Sequence, residues 1–209
     1  MDTGINIEYR NALKTISQHG FEKGEEVLLG DGQFGYAWLI KNNIVAKVTS
    51  DRNEFLTAKD LKGSRNHYLV NIFDCWESSN SLFVIIEEQL NETSPYIDKN
   101  AKMSFVNSFN NSWLKHYNNL NQKNSNSNYR DFMMKCCKEE LKDIIEGAYK
   151  LFVKSYDKRV FHSYNKMMFN VTCTAIHELF IISPKALLDF NENNIMFTKS
   201  GQMKFIDIH

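Results

Sequence analysis

With 209 residues, 25 basic and 25 acidic side chains and no net charge, the chain lacks the broad positive field of a nucleic-acid binder. Apolar residues make up 43% and include 15 phenylalanines, enough for one good-sized core or two small lobes burying roughly 70% of the unfolded chain's surface. No run of about eighteen apolar residues exists to span a membrane, and "MDTGINIEYR" is neither a secretory signal nor a basic transit peptide, so the expectation is a soluble, cytoplasmic protein.

From the N-terminus, "EEVLLG" (25–30), "YAWLI" (36–40) and "IVAKVT" (44–49) are β-branched or aromatic runs. Lys41-Asn42-Asn43 between the last two predicts a tight hairpin, because asparagine tolerates positive φ. The segment 52–63 carries Phe55, Ala58 and Leu61 at helical spacing with Gly63 as its stop. "YLVNIFDCWE" and "SLFVIIEEQL" read as two more strands, so five strands and one helix fill the first ninety residues.

The remainder reads as largely helical. Phe105, Phe109, Trp113 and Tyr117 recur at i, i+4 spacing, a stripe that is core-forming, and the polar stretch 121–130 reads as a loop. Met133, Cys137, Leu141, Ile144, Ala148 and Leu151 share one face, and Met168, Val171, Ala175 and Leu179 mark a last long helix that Pro184 ends. His177 is expected to be packed or capping within it, and Met167-Met168 and Met133-Met134 to fill core. "NIMFT" and "MKFID" then predict two short strands around Lys199-Ser200-Gly201. Cys75, Cys136, Cys137 and Cys173 contain no C-x-x-C pair, which favours reduced core thiols over a zinc site or a disulfide framework.

Three pieces carry chemistry. Gly30, Gly32 and Gly35 form G-x-G-x-x-G between two strands, a context that lacks the helix a dinucleotide fingerprint needs and by itself suits a glycine-rich hairpin equally well. Lys47 sits on the strand beside that hairpin and shares a face with Val45, where an ammonium calls for an anion. Asp189 and Asn194 are five apart, and Asp207 lies thirteen positions further at the end of a strand. Carboxylates and amide oxygens are hard donors suited to Mg²⁺, and glycine N–H groups with a lysine suit phosphates.

Together these pieces resemble the protein-kinase family. Its glycine loop resembles residues 30–37, its strand lysine Lys47, its catalytic-loop aspartate and asparagine Asp189 and Asn194, and its metal-binding aspartate Asp207. The resemblance implies a two-lobed α+β fold, with a small antiparallel sheet and one helix (52–62) in an N-lobe of residues 1–90 and a reduced helical C-lobe of residues 91–209. It further implies ATP and Mg²⁺, with Asp189 accepting the substrate proton, Lys47 fixing phosphates, Glu54 or else Asp60 orienting Lys47, and Asn194 and Asp207 holding metal. Backbone groups of Glu87 to Gln89 would bind adenine, Ile86 would guard the back pocket, Ala37 and Val45 would lie above the base, and Met196 and Ile206 below it.

Where the family has His-Arg before the catalytic aspartate, the chain has Leu187-Leu188; Asn191 replaces a lysine, and Asp207-Ile208-His209 stands for Asp-Phe-Gly with no activation segment after it. Such economy is similar to kinase-like proteins made early in infection by short-tailed bacteriophages, and is shared by small bacterial effector kinases. The expected activity is phosphorylation of Ser/Thr hydroxyls on protein substrates, host proteins in a phage setting, without nucleic-acid or membrane partners. A catalytically silent relative that binds nucleotide or protein, and a small-molecule kinase of the aminoglycoside or choline type, are the alternatives.

Overall fold

The computed structural model describes residues 7–22, 24, 26–41, 43–64, 66–78, 81–94, 97, 99–121, 162–184, 186 and 190–208. The helix expected over 131–156 and the thiols Cys136 and Cys137 lie outside them, as do Met133, Met134, Asp189 and His209.

The architecture is α+β. Strands β1 (Val27–Asp31), β2 (Gly35–Lys41), β3 (Ile44–Thr49), β4 (Ile72–Glu77) and β5 (Phe83–Glu88) form one antiparallel sheet in the order β1-β2-β3-β5-β4. The β2–β3 turn passes through Asn43 at φ 63°, the positive value that short hairpins demand and asparagine accepts. Helix α2 (Arg52–Leu61) follows β3, its N-terminus capped by the Asp51 carboxylate, which accepts from Asn53 N at 2.7 Å and Glu54 N at 3.4 Å. Helices α3 (Lys99–Asn121) and α4 (His162–Ile182) and a separate hairpin, β6 (Ile195–Phe197) with β7 (Met203–Phe205), complete the described elements.

Because side chains alternate along a strand, the central sheet has two different faces. Trp38, Ile40, Ala46, Val48, Val84 and Ile86 point one way and form a core with Ala12, Leu13 and Ile16. These last belong to α1 (Ile7–Lys14) and the 3-10 turn Thr15–His19, which the reading of one helix before residue 90 had missed. Their sequence shows only a short apolar stripe; the sheet supplies the burial that makes it a helix. Trp76 anchors the segment, donating from Nε1 to Thr15 Oγ1 at 2.9 Å while His19 stacks on its ring.

The opposite face looks toward the helices. Ile72 and Ile85 join Phe105, Phe109, Met168, Phe169, Leu179, Phe197 and Phe205 in a continuous core. Phe105 and Phe109 of the aromatic stripe are fully inside, and Phe109 packs on Phe169 with centroids 5.3 Å apart. Met168 is buried but its neighbour Met167 is 43% exposed and does not fill core as expected, and His177, expected to be packed or capping, is exposed. Cys173 is buried and Cys75 half-buried, both free thiols, and burial pushes the Cys173 thiol up to about 12.

Candidate nucleotide site

Pairing registers decide which side chains meet. Lys47 lies opposite Ala37 on one side and Ile85 on the other, and Val45 lies opposite Glu87. Ala37, Val45, Lys47, Ile85 and Glu87 therefore share the face turned toward the helices. One turn into α2, Glu54 is 6% exposed and its carboxylate pairs with the Lys47 ammonium. Asp60, the other candidate for this role, instead accepts from Ser183 Oγ at 2.6 Å, on the far end of α2.

The third partner arrives from the other end of the chain. Phe205 N donates to Tyr68 O at 2.8 Å and Val70 N to Phe205 O at 2.9 Å, while Asn91 and Phe197 exchange both backbone bonds at 2.7 and 2.8 Å. These bonds hold the β6–β7 hairpin beneath the sheet. The chain then leaves β7 with Asp207 at φ 54°, a left-handed conformation uncommon for aspartate, and the Asp207 carboxylate pairs with Lys47. Asn194 is 4% exposed at the end of a short 3-10 turn (Glu192–Asn194) that Asn191 caps. Its carbonyl accepts from Ile206 N at 3.0 Å, which ties it to the residue before Asp207. Asp189 lies outside the described residues; next to it, Phe190 packs on Phe109 and Phe205 with centroids at 4.6 and 5.7 Å.

Beside Lys47 opens a cavity of about 260 Å³, with Leu29, Gly30, Ala37 and Val45 above and Met196, Ile206 and Asn193 below. A flat aromatic ring fits between two such apolar walls. Gly30 borders this cavity; Gly32 and Gly35 are not among its lining residues. Gly32 N donates to Gly35 O at 2.8 Å, closing the turn, and a Cβ on Gly35 would stand 2.1 Å from Val48 O, so glycine is required there by close backbone approach.

The end of β5 and the segment after it reach the cavity with two of the three expected residues and with Leu90. Glu87, Glu88 and Leu90 line the cavity, whereas Gln89 N is taken by Asn43 O at 2.8 Å. Ile86 faces the α1 core and so does not border the cavity as expected, while Ile85 lines the recess with Glu54 and Asp207. A run of six strand residues in which four are apolar gave no hint of which alternate set faces inward; the pairing with β3 supplies it.

The sequence offered Glu87 only for its backbone and did not single out Lys102. Burial pushes the Glu87 carboxyl up to about 7, against an opposing pull from Lys47 and with smaller upward effects from Glu54 and Glu88. Lys102 on α3 is 4% exposed, donates to Ile195 O at 3.0 Å beside Asn194, and has its pKa lowered by burial. Asp207 lines a smaller recess with Glu54 and Glu87, and the Asn194 backbone is tied to its neighbour Ile206; a carboxylate and an amide oxygen are hard donors of the kind Mg²⁺ takes together with phosphate and water. Among the described residues no cluster of three or more His, Cys, Asp or Glu exists to hold a metal by protein alone.

No protein-family model matches the chain, and no curated protein does. Among solved structures the chain is similar to a thermostable mutant of aminoglycoside phosphotransferase APH(4)-Ia, in ternary complex with ADP and hygromycin B, at 13% identity and TM-score 0.40 over 94% of this chain and 70% of that one. A substituted aminoglycoside 2′-phosphotransferase IIIa in complex with GDP is similar at 10% identity and TM-score 0.43, over 97% and 71% of the respective chains. The Mycobacterium tuberculosis PknI kinase domain is similar at 10% identity and TM-score 0.35, over 89% and 60%.

Proposed function

We propose that the chain is an ATP-dependent phosphotransferase whose acceptor is a Ser/Thr hydroxyl on a protein, a host protein if the gene is a phage one. The observation that carries this reading is the meeting of Lys47, Glu54 and Asp207 beside a recess that shares Glu87 with a cavity walled by Ala37, Val45, Met196 and Ile206.

Each residue then has a task its surroundings support. Glu54, buried at the start of a capped helix, holds the Lys47 ammonium beside the cavity. Phosphate oxygens are the natural competitors for that ammonium, since a lysine binds phosphate as a point charge. Asn194 and Asp207 would hold Mg²⁺, which when bound neutralises charge on the phosphate oxygens. Asp189, five residues before Asn194, is the group proposed to accept the hydroxyl proton. The complete G-x-G-x-x-G hairpin favours a protein acceptor over a small molecule.

The test is transfer of labelled γ-phosphate from ATP with Mg²⁺ into a cell extract, run with the chain and with Lys47→Ala and Asp189→Ala. Both variants should lose transfer by about 100-fold or more. Transfer that both substitutions leave intact removes the mechanism. Label entering only the small-molecule fraction replaces the protein acceptor, and ATP-dependent thermal stabilisation without transfer identifies a nucleotide-binding module instead.

A further inference from the structure

We propose that the Glu87 side chain selects a purine with an amino group at position 6 over one with an oxo group there. The inference deepens, and rests on, the nucleotide reading above.

Glu87 pairs with Val45 and so points its side chain to the Lys47 face, into the cavity. It also borders the inner recess formed by Glu54, Ile85 and Asp207, which places it at the deep end. Among the described residues its carboxyl has no hydrogen-bond or ion-pair partner. The nearest cation, Lys47, is already paired with Glu54 and Asp207, and the adjacent Glu88 is paired with Lys204. A polar group left unmatched where water is excluded is costly, and a ligand that matches it gains specificity.

Three residues along, at the outer part of the same cavity, the Leu90 N–H has no acceptor among the described residues. A purine held between Ala37 and Met196 with a ring nitrogen on Leu90 N–H directs its 6-substituent inward, toward Glu87. A 6-amino group brings a donor to the carboxylate. A 6-oxo group brings a second acceptor, and two acceptors facing one another without water repel.

The experiment is equilibrium binding of ATP, GTP and ITP, with Mg²⁺ at pH 8, to the chain and to Glu87→Gln and Glu87→Met. ITP isolates position 6, since it lacks the 2-amino group of GTP. The unsubstituted chain should bind ATP at least about tenfold more tightly than ITP or GTP. Glu87→Gln, whose amide can donate as well as accept, should bring the three within about threefold, mainly by tightening ITP. Glu87→Met should narrow the ratio by weakening ATP. Equal affinity of the unsubstituted chain for ATP and ITP, or a preference that survives both substitutions, overturns the inference while leaving nucleotide binding in place. Absence of binding to all three nucleotides overturns the nucleotide reading and the inference together.

Discussion

Lys47 is one ammonium facing two paired carboxylates, Glu54 and Asp207, with Glu87 close enough to feel its charge. Burial is the main cause that raises the Glu87 carboxyl, opposed by Lys47 and helped by the smaller repulsion from Glu54 and Glu88. The Glu87 carboxyl is raised from 4.5 to about 7, so the folded chain binds its proton more strongly than the unfolded chain does. The sign follows: this group's contribution to stability is fully present below about 4.5 and is lost as pH rises through about 7. Urea unfolding at pH 5 and pH 8 should therefore show a smaller loss of stability toward pH 8 for Glu87→Gln than for the unsubstituted chain. An identical pH dependence in the two proteins would remove this account of Glu87. The sequence showed a Glu-Glu pair after an apolar run and nothing of their different fates, because Glu88 faces Asn71 N (2.8 Å) and Lys204 while Glu87 faces the cavity.

Among elements, the glycine hairpin makes the sharpest contrast. A Cβ at Gly35 would meet Val48 O at 2.1 Å and Thr49 Cα at 2.9 Å, atoms of the paired strand, whereas one at Gly32 would meet nothing closer than Gly35 O at 3.8 Å. Gly35→Ala has to open the β2–β3 pairing and should cost about 3 kcal/mol, the upper end for overpacking; Gly32→Ala should change stability by less than about 1 kcal/mol. Urea midpoints of the two variants measure the difference, and equal losses would refute it. The strands β1 to β3, the Asn43 turn and α2 were readable because local chemistry dictates them: alternation, positive φ and a capped amphipathic turn. Helix α1 and the 3-10 turn after it were not, since their buried residues Ala12, Leu13 and Ile16 gain their burial only from the upper face of a sheet that follows them in sequence.

Across the whole molecule, the β6–β7 hairpin is the joint between sheet and helices. Besides its backbone bonds to Tyr68, Val70 and Asn91, it sends Lys204, 4% exposed, to the Glu88 carboxylate at the end of β5. Removing one member of a buried pair leaves the other desolvated and uncompensated. Lys204→Met should thus cost about 3 kcal/mol in chemical unfolding. It should also weaken ATP binding, since Glu88, Met196 and Ile206 all line the cavity. A fully stable Lys204→Met protein would show that Glu88 is adequately solvated without its partner.

The amino-acid sequence by itself determined the strand and helix content near the site, the hairpin turns and the order of Gly30, Lys47, Glu54, Asn194 and Asp207, because these rest on short-range periodicity and spacing. Only tertiary structure decided that Lys47 and Asp207, 160 positions apart, share one ion pair, that Glu54 rather than Asp60 completes it, and that Glu87 and Ile85 rather than Ile86 face inward. The reason is physical: a strand's two faces are equivalent until a neighbouring strand fixes the register and a second layer makes one of them the inside.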